Sequence, residues 1–355
     1  MIYAKKLVIS LSVLFFLFYF TGNMAAQVQQ PSGEIQAITR ADIAPKPHTS
    51  SYFNELWSYH FILEEDIQLN IVFSTASFGR FMSPVGGARL SLVGFDDKIY
   101  QVAREYPKER LAFVESETYL RMRPDHEVWF RGNLDNQHEV RFVTSKDGVD
   151  YDVHLIMENI VDGFRWGDGL FRFGNEKIGI QVPIPKADVH GFISINGNKR
   201  EVSGTAYMDQ TWQSNITPRL IGEGFRFFVH SQDSWEAAYF LIKSDAKKDA
   251  VPVGFSVYSD GDSISLLRPR SLRIINENRF RGSKLAEQIR VDFIGNSHRS
   301  IVRTRDRERY ALLNELSGWQ YRIARSFLGG EVVEFRGEAL INNERIAYYN
   351  FFRVE

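Results

Sequence analysis

The sequence predicts an all-β protein of antiparallel strands, and three observations support this fold class. Short segments of alternating apolar and polar residues recur along the chain, and turn residues separate them at intervals of roughly ten to fifteen positions. Phe, Tyr and Trp make up 14% of the residues, and strands favour aromatic side chains. Amphipathic helical patterns are scarce. These features together predict barrels or sandwiches.

Residues 1–26 have the pattern of a secretory signal peptide. Lys5 and Lys6 precede an apolar run from residue 7 to residue 20, and small residues ending in Ala26 follow it. We expect cleavage after Ala26 and export to the periplasm or the extracellular medium, because the run is rather short for a membrane-spanning helix. An uncleaved signal that anchors the chain to a membrane is the alternative.

Composition limits the classes of function that the mature chain can have. It contains no cysteine, which excludes disulfides, thiolate chemistry and a lipid-modified cysteine anchor. The full chain has 43 basic and 44 acidic residues, which nearly balance with or without the signal peptide, and no long run of one sign occurs. Nucleic acid is therefore not expected as a partner. With 355 residues, of which 44% are hydrophobic, the chain is long enough for two domains.

The chain after the signal peptide is predicted to begin with a leader and to continue as hairpins. Residues 27–48 are polar, contain proline and lack a core pattern, which predicts a flexible leader. Alternation around turn residues then predicts four hairpins, at 139–157 (turn Asp147-Gly148), 189–207 (turn Asn196-Gly197), 225–242 and 253–267. A final strand pair is predicted at 332–340 and 345–354.

Helical structure is predicted at three places only. The strongest pattern lies at 306–316, where Tyr310, Leu313 and Leu316 could form one apolar stripe. Short helices are also expected near residues 51–59 and 319–327.

The segment Gly204-Thr-Ala-Tyr-Met-Asp-Gln-Thr-Trp212 is the most informative motif. Tyr207 and Asp209 are two positions apart on a predicted strand, so their side chains point to the same face. If that face lines a barrel interior, the carboxyl group lies in an aromatic pocket, where burial would raise its pKa and let it hold a proton at neutral pH. Such a carboxyl can protonate an apolar substrate. The same letters also fit a structural aspartate that caps the turn after the strand.

From Pro185 to Trp212 the chain resembles the hydroxyneurosporene synthase (carotenoid 1,2-hydratase)/AttH-like family. The resemblance is carried by a glycine-containing strand, an Asn-Gly turn, a strand ending in Gly-Thr-Ala-Tyr, and the following Asp-Gln-Thr-Trp. It extends over roughly residues 50–270, and further only by pattern. It implies two lipocalin-like antiparallel β-barrel domains after the signal peptide and leader, which we place at 49–218 and 219–355.

The resemblance also implies a chemistry. In the hydratase branch, water is added to an isoprenoid double bond under acid catalysis, without a cofactor. Carried onto this chain, Asp209 is the candidate catalytic acid, and Tyr207 and Trp212 are candidate substrate contacts whose π-faces would stabilise a carbocation. Gln210 stands where family members usually carry histidine. It is a candidate substrate contact that can hydrogen-bond Asp209 or a water but cannot relay a proton.

Two further residues are candidate substrate contacts. Trp166 is predicted to cover the mouth of the cavity, and His190 lies in an alternating strand, where a single histidine is more often structural. No metal-ligand spacing or nucleophile elbow occurs in the sequence. The basic stretch His298–Arg309 is predicted to be a solvated strand and helix start, and a peripheral contact with anionic lipid headgroups is the alternative.

The sequence thus predicts an exported protein that acts on or binds a hydrophobic small molecule, an isoprenoid or a lipid. An acid-catalysed hydratase or cyclase is the first hypothesis, and a non-enzymatic lipid or pigment carrier that uses the same pocket is the second. A glycan-binding β-sandwich with its aromatic residues on an exposed face is the third. No metal or other cofactor is expected.

Overall fold

The computed structural model describes residues 28–48, 50–79, 83–122, 127–243, 252–261 and 263–313, residues 322, 325 and 326, and residues 328–355. Nearly all regular structure in these residues is β-strand. No helix among them has the length and apolar character needed to cross a membrane. The short helical pieces are α1 (Thr217–Leu220) and 3₁₀ turns at Arg40–Ile43, Glu64–Asp66, Lys108–Arg110 and Glu115–Glu117.

Fifteen strands belong to the first sheet. They are β1 (Val28–Gln29), β2 (Ile35–Ala37), β3 (Tyr52–Leu63), β4 (Ile67–Phe78), β5 (Val85–Val93), β6 (Tyr100–Pro107), β7 (Leu111–Val114), β8 (Tyr119–Met122), β9 (Val128–Gly132), β10 (His138–Lys146), β11 (Val149–Glu158), β12 (Phe164–Trp166), β13 (Leu170–Phe173), β14 (Glu176–Ile195) and β15 (Asn198–Gln213). Their main path runs in the order β6-β5-β4-β3-β15-β14-β11-β10-β9-β8-β7, and it curves into a nearly closed barrel.

Nine strands that follow α1 form the second sheet. They are β16 (Ile221–His230), β17 (Trp235–Lys243), β18 (Val253–Ser259), β19 (Ile264–Leu267), β20 (Pro269–Phe280), β21 (Ser283–Phe293), β22 (His298–Ala311), β23 (Val332–Ile341) and β24 (Arg345–Val354). They run in the order β19-β18-β17-β16-β24-β23-β22-β21-β20 and form a half-barrel. The predicted all-β, two-domain lipocalin-like fold is confirmed.

All five predicted strand pairs are present, and the turns of the first two carry residues that tolerate positive φ. Asp147 and Gly148 have φ of 55° and 77° between β10 and β11, and Asn196 and Gly197 have φ of 51° and 81° between β14 and β15. Two-residue turns of this kind match the right-handed twist of antiparallel strands. The pairs β16–β17, β18–β19 and β23–β24 also form as predicted.

Two of the predicted helices are wrong. Residues 52–59 belong to β3, and residues 306–311 belong to the end of β22. β3 is buried on both faces over much of its length, so its apolar residues do not alternate simply. The end of β22 buries Glu308, Tyr310 and Ala311, and this spacing does not alternate simply either. Residues 314–316 lie outside the described residues, as does the predicted helix at 319–327 apart from residues 322, 325 and 326.

The segment at 28–48 differs from the expected flexible leader, because it pairs with and packs on the first sheet. β1 pairs with β13, and β2 pairs with β12. Ile43 is fully buried, and the indole nitrogen of Trp57 donates a hydrogen bond of 2.9 Å to its carbonyl oxygen. The backbone and the buried side chains of Ile38 and Ile43 tie this segment down, although its composition is polar.

The basic stretch forms β22, and two of its arginines are less solvated than predicted. The side chain of Arg303 is 2% exposed and that of Arg307 is 7% exposed. Arg303 pairs with Asp306, and Arg307 pairs with Asp66 of the first domain. These two guanidinium groups are therefore already engaged in ion pairs within the protein, whereas a contact with anionic lipid headgroups would need them at the surface.

Alternation along the strands creates three apolar cores. One core fills the first barrel and contains Tyr59, Phe61 and Met208; a second fills the half-barrel. The third lies between the two domains, where Tyr207 of β15 meets Phe228 of β16. Successive residues of a strand point to opposite faces, so β3 and β15 serve the first barrel with one face and the domain interface with the other.

Candidate functional site

Asp209 is fully buried at the interface between the domains, outside the first barrel rather than inside it. Its carboxylate forms an ion pair with Arg226 of β16, and the Tyr207 hydroxyl donates a hydrogen bond to it. Burial raises the pKa of Asp209, while the Arg226 charge and the two hydrogen bonds oppose that rise. The predicted shared face of Tyr207 and Asp209 is observed, but that face meets the second domain.

Arg226 is almost completely buried and holds this part of the interface together. Its Nη1 atom donates to Asp209 and, over 3.1 Å, to Nε2 of His60 on β3. Burial and the nearby arginines lower the pKa of His60 well below its usual value, so this imidazole is neutral and accepts the hydrogen bond. The Tyr239 ring centroid lies 5.3 Å from the guanidinium carbon of Arg226, which is within cation–π distance.

Tyr207 packs against the second domain through its ring. Its ring is stacked on Phe228, with the centroids 4.7 Å apart and the planes 1° from parallel. Burial, with the nearby Asp209 charge, raises the pKa of Tyr207 well above its usual value, so the hydroxyl keeps its proton and can donate it to a hydrogen bond. The ring therefore faces Phe228 and the hydroxyl faces Asp209.

A second group of buried charges surrounds Glu334 on β23. Arg89 of β5 pairs with one carboxylate oxygen, and Arg336 pairs with the other at 3.2 Å. Burial alone would raise the pKa of Glu334, but the two guanidinium groups outweigh it and lower that pKa to about 2. Glu334 is thus ionised at all ordinary pH values.

Glu308 completes the charge network on the side of β22. Arg336 Nη1 donates to Glu308 over 2.8 Å, and Ser91 and Gln101 of the first domain also donate to that carboxylate. With Asp209 ionised, the network of Asp209, Arg226, Glu334, Arg89, Arg336 and Glu308 is balanced in charge. Its members come from both domains, so the interface is polar at its centre and apolar on either side.

A cavity of about 300 Å³ lies beside this network, between the two domains. Its apolar walls include Leu56, Val72, Ile221, Leu241 and Phe352, which come from both sheets. Its polar lining includes Arg89, Arg226, Tyr239, Tyr310 and Glu334. Apolar walls with a few clustered polar groups are typical of sites for small molecules.

Thr211 and Gln213 of β15 line the same cavity, on the strand face that carries Asp209. Asp209 itself is not among the lining residues within the described part of the chain. Arg226 does line the cavity and pairs with Asp209. The guanidinium group is therefore the member of this ion pair that a bound molecule can contact. In the same described residues, no cluster of His, Asp and Glu is suited to a metal ion.

Gln210 and Trp212 lie on the opposite face of β15 from Asp209. Gln210 is fully buried, donates to Glu55 over 2.8 Å and accepts from Gln181 over 2.7 Å. Trp212 covers Gly179 of β14, and the Lys46 ammonium lies 5.0 Å from its ring. Because strand neighbours alternate, neither side chain is placed beside the Asp209 carboxyl, which corrects the expected hydrogen bond and pocket wall.

Trp166 and His190 are also placed away from the cavity. Trp166 is buried in the interface core, where its indole nitrogen donates to the carbonyl of Gly33 over 3.1 Å. It packs within the structure and does not cover an opening. The His190 side chain is 53% exposed on the far surface and lies 3.9 Å from Glu158. His190 is therefore one of the outward-facing polar residues of an alternating strand, and the structure does not bring it to the predicted site.

Sequence reasoning missed Arg226, Arg89 and Glu334. A usable signal exists, because Arg226 interrupts the apolar run Phe225–Val229 and Glu334 interrupts Val332–Phe335. A charged residue inside a strand that is apolar on both sides must find a buried partner. The identity of that partner depends on which strands the fold brings together.

No protein-family model matches the chain, and no curated protein matches it in sequence. Solved structures do match in fold. A Nitrosomonas europaea protein assigned as an AttH (NE1406) aligns with a TM-score of 0.62 and 14% identity, over 92% of this chain and 99% of that one. A crystal structure of CghA with Sch210972 aligns with a TM-score of 0.57 and 11% identity, over 88% and 94% of the respective chains.

These alignments cover both domains, but the sequence identities are so low that they establish only the shared fold. They confirm, at the level of the fold, the resemblance that the segment from Pro185 to Trp212 indicated. The chain therefore has the two-domain, lipocalin-like fold seen in AttH-type proteins and in CghA.

Proposed function

We propose that this protein binds a hydrophobic small molecule in the cavity between its two domains. The observation that carries the proposal is the cavity itself, about 300 Å³ in volume, with apolar walls from both sheets and a cluster of polar groups on one side. Burying apolar ligand surface against such walls stabilises a complex by roughly 25 cal/mol per Å² before the costs of association are subtracted. An isoprenoid or lipid-like molecule suits this lining.

Thr211→Phe is expected to weaken binding of a neutral apolar probe by about tenfold or more, because the ring would occupy cavity volume beside Leu56. N-phenyl-1-naphthylamine is a suitable probe, since its fluorescence rises in apolar surroundings. Thr211→Val, which keeps nearly the same volume and removes only the hydroxyl, is expected to change the dissociation constant by about twofold at most.

Fluorescence titrations of the three proteins measure these constants, and circular dichroism checks that each is folded. Equal binding by the native protein and Thr211→Phe would contradict the cavity as the binding site. Mass spectrometry of lipid extracted from the natively purified protein would then identify the molecule that the cavity holds in the cell.

A second candidate function is acid-catalysed conversion of the bound molecule, which the burial of Asp209 favours. Burial raises the pKa of this carboxyl, and Tyr207 and Tyr239 place aromatic faces near it. In a hydration, the Asp209 proton would add to an alkene carbon and water would add to the resulting cation. The proton lost from that water would return to the carboxylate. The Arg226 ion pair opposes protonation of Asp209, and Asp209 is not among the described residues that line the cavity. Binding is therefore the first proposal.

Asp209→Asn separates the two candidates. If Asp209 is the acid, the variant is expected to lose turnover of the copurified lipid by about 10²-fold or more while it still binds N-phenyl-1-naphthylamine. Incorporation of ¹⁸O from labelled water into the lipid measures turnover. Labelling at the native rate in Asp209→Asn would remove this residue as the acid and leave a carrier.

The glycan-binding alternative finds little support in the positions of the aromatic residues. Trp166 and Trp235 are 3% and 5% exposed and belong to the interface core, so they cannot form an open platform for a sugar. Export to the periplasm or the medium stays a proposal that rests on residues 1–26, which lie outside the described residues.

A further inference from the structure

We propose that the bound molecule ends in a carboxylate, which Arg89 and Arg226 recognise from the polar side of the cavity. This inference rests on the proposed function, because it assigns the head group of the molecule that the cavity holds. It concerns the two arginines that line the cavity and belong to the buried charge network. A carboxylate is the group that guanidinium donors bind most favourably.

Both arginines have N–H groups to spare. Arg89 donates a hydrogen bond only through Nη2, to Glu334, and Arg226 donates only through Nη1, to Asp209 and His60. Arg89 Nη1 and Arg226 Nε are buried and have no hydrogen-bond partner among the described residues. Buried donors without a partner are uncommon and costly, so their presence beside a cavity points to an acceptor that the cavity receives.

The two guanidinium groups are held in place rather than free to turn elsewhere. The Tyr310 ring lies 5.0 Å from the guanidinium carbon of Arg89, and the Tyr239 ring lies 5.3 Å from that of Arg226. Each ring therefore covers one side of its guanidinium group. A fixed orientation lowers the entropy that binding must remove.

Arginines outnumber glutamates among the described lining residues, because Asp209, which compensates the charge of Arg226, does not line the cavity. Three arginines and two glutamates line the cavity, Arg104 and Glu105 being the exposed pair. Both oxygens of Glu334 are occupied by arginines, so its charge is already compensated.

The head group can be tested with three twelve-carbon molecules that share one chain: dodecanoate, 1-dodecanol and methyl dodecanoate. Isothermal titration calorimetry measures each dissociation constant, below the micelle concentration of dodecanoate and below the solubility limits of the two neutral molecules. We expect the native protein to bind dodecanoate about tenfold or more tightly than the alcohol or the ester, because only the acid offers a charged acceptor.

Arg89→Lys is expected to shrink that preference by about fivefold or more, since lysine keeps the positive charge but loses the planar set of donors. Its affinity for 1-dodecanol should fall less than its affinity for dodecanoate. Arg131→Lys, on the exposed side of β9, is the matched control and should keep the native preference. If Arg89→Lys does not fold, the comparison of the three ligands on native protein still decides the proposal.

The outcomes distinguish a failure of the carboxylate proposal from a failure of the proposed binding function. Tighter binding of dodecanoate, with a preference that falls in Arg89→Lys only, supports the proposal. Equal or tighter binding of 1-dodecanol overturns it and leaves the binding function standing. A preference that Arg89→Lys leaves intact overturns the role of the arginine pair. Failure to bind all three molecules and N-phenyl-1-naphthylamine overturns the proposed function, and the inference with it.

Discussion

Replacing Arg226 with methionine is expected to lower the free energy of unfolding by about 3–5 kcal/mol. The substitution keeps much of the side-chain volume but leaves the Asp209 carboxylate, which is 0% exposed, without its charged partner. The carboxyl must then either stay charged in a poorly solvated site or take up a proton at a cost. Urea denaturation of the native protein and the variant at pH 7 measures the loss.

Two further variants show whether the loss comes from the unpaired charge. Asp209→Asn combined with Arg226→Met should recover most of the stability, because removing both members of a buried pair is far less harmful than removing one. Arg172→Met breaks an exposed pair with Asp168 and should change the free energy of unfolding by about 1 kcal/mol or less. If Arg226→Met lost as little stability as Arg172→Met, the Asp209 carboxylate would have to be better solvated than its complete burial indicates.

Glu334→Gln is expected to cost roughly 3 kcal/mol near neutral pH, and this difference from the native protein should fade in acid. The pKa of Glu334 is lowered to about 2 in the folded protein from 4.5, through Arg89 and Arg336 acting against burial. A carboxyl with a lowered pKa stabilises the fold fully above its unfolded value. That contribution is lost as the pH falls from about 4.5 towards 2.

Denaturation curves of both proteins at pH 6, 4 and 2.5 follow this difference. It should be largest at pH 6 and clearly smaller at pH 2.5, where the native glutamate begins to bind a proton. The exposed variant Glu201→Gln serves as the control and should cost little at any of these values. A difference that stays constant across the range would mean that the charge of Glu334 contributes little to stability.

The two variants bear on ligand binding as well as on stability, because the same arginines serve both. Arg226 and Arg89 line the cavity and also join the domains through Asp209 and Glu334. A molecule bound to both arginines would therefore contact groups from each domain. Binding is expected to raise the melting temperature of the native protein, since a ligand that binds only the folded state stabilises it.

Local patterns explain why the hairpins could be predicted and two helices could not. An Asp-Gly or Asn-Gly pair between alternating segments carries its own conformational preference, as at Asn196 and Gly197. The letters of β3 carry no such signal. One face of that strand fills the first barrel through Tyr59 and the other meets the second domain through His60, so burial on both sides removed the simple alternation.

The candidate site likewise has one feature that could be predicted from the sequence and one that was predicted wrongly. A spacing of two residues on a strand is a local property, so the shared face of Tyr207 and Asp209 could be read from the sequence. The same rule places Gln210 and Trp212 on the other face of β15. The grouping of Trp212 with Asp209 relied on closeness along the chain, which alternation overrides.

The sequence by itself determined the strands, their turns, the antiparallel all-β class and the side of β15 that carries Asp209. These properties depend on a few neighbouring residues and on the pleat of a strand. Only the tertiary structure decided that this side faces the second domain, that Arg226 neutralises Asp209, and that a cavity opens beside them. Ion pairs and cavities join residues far apart in the chain, and the energy of a buried charge depends on the partner that folding brings to it.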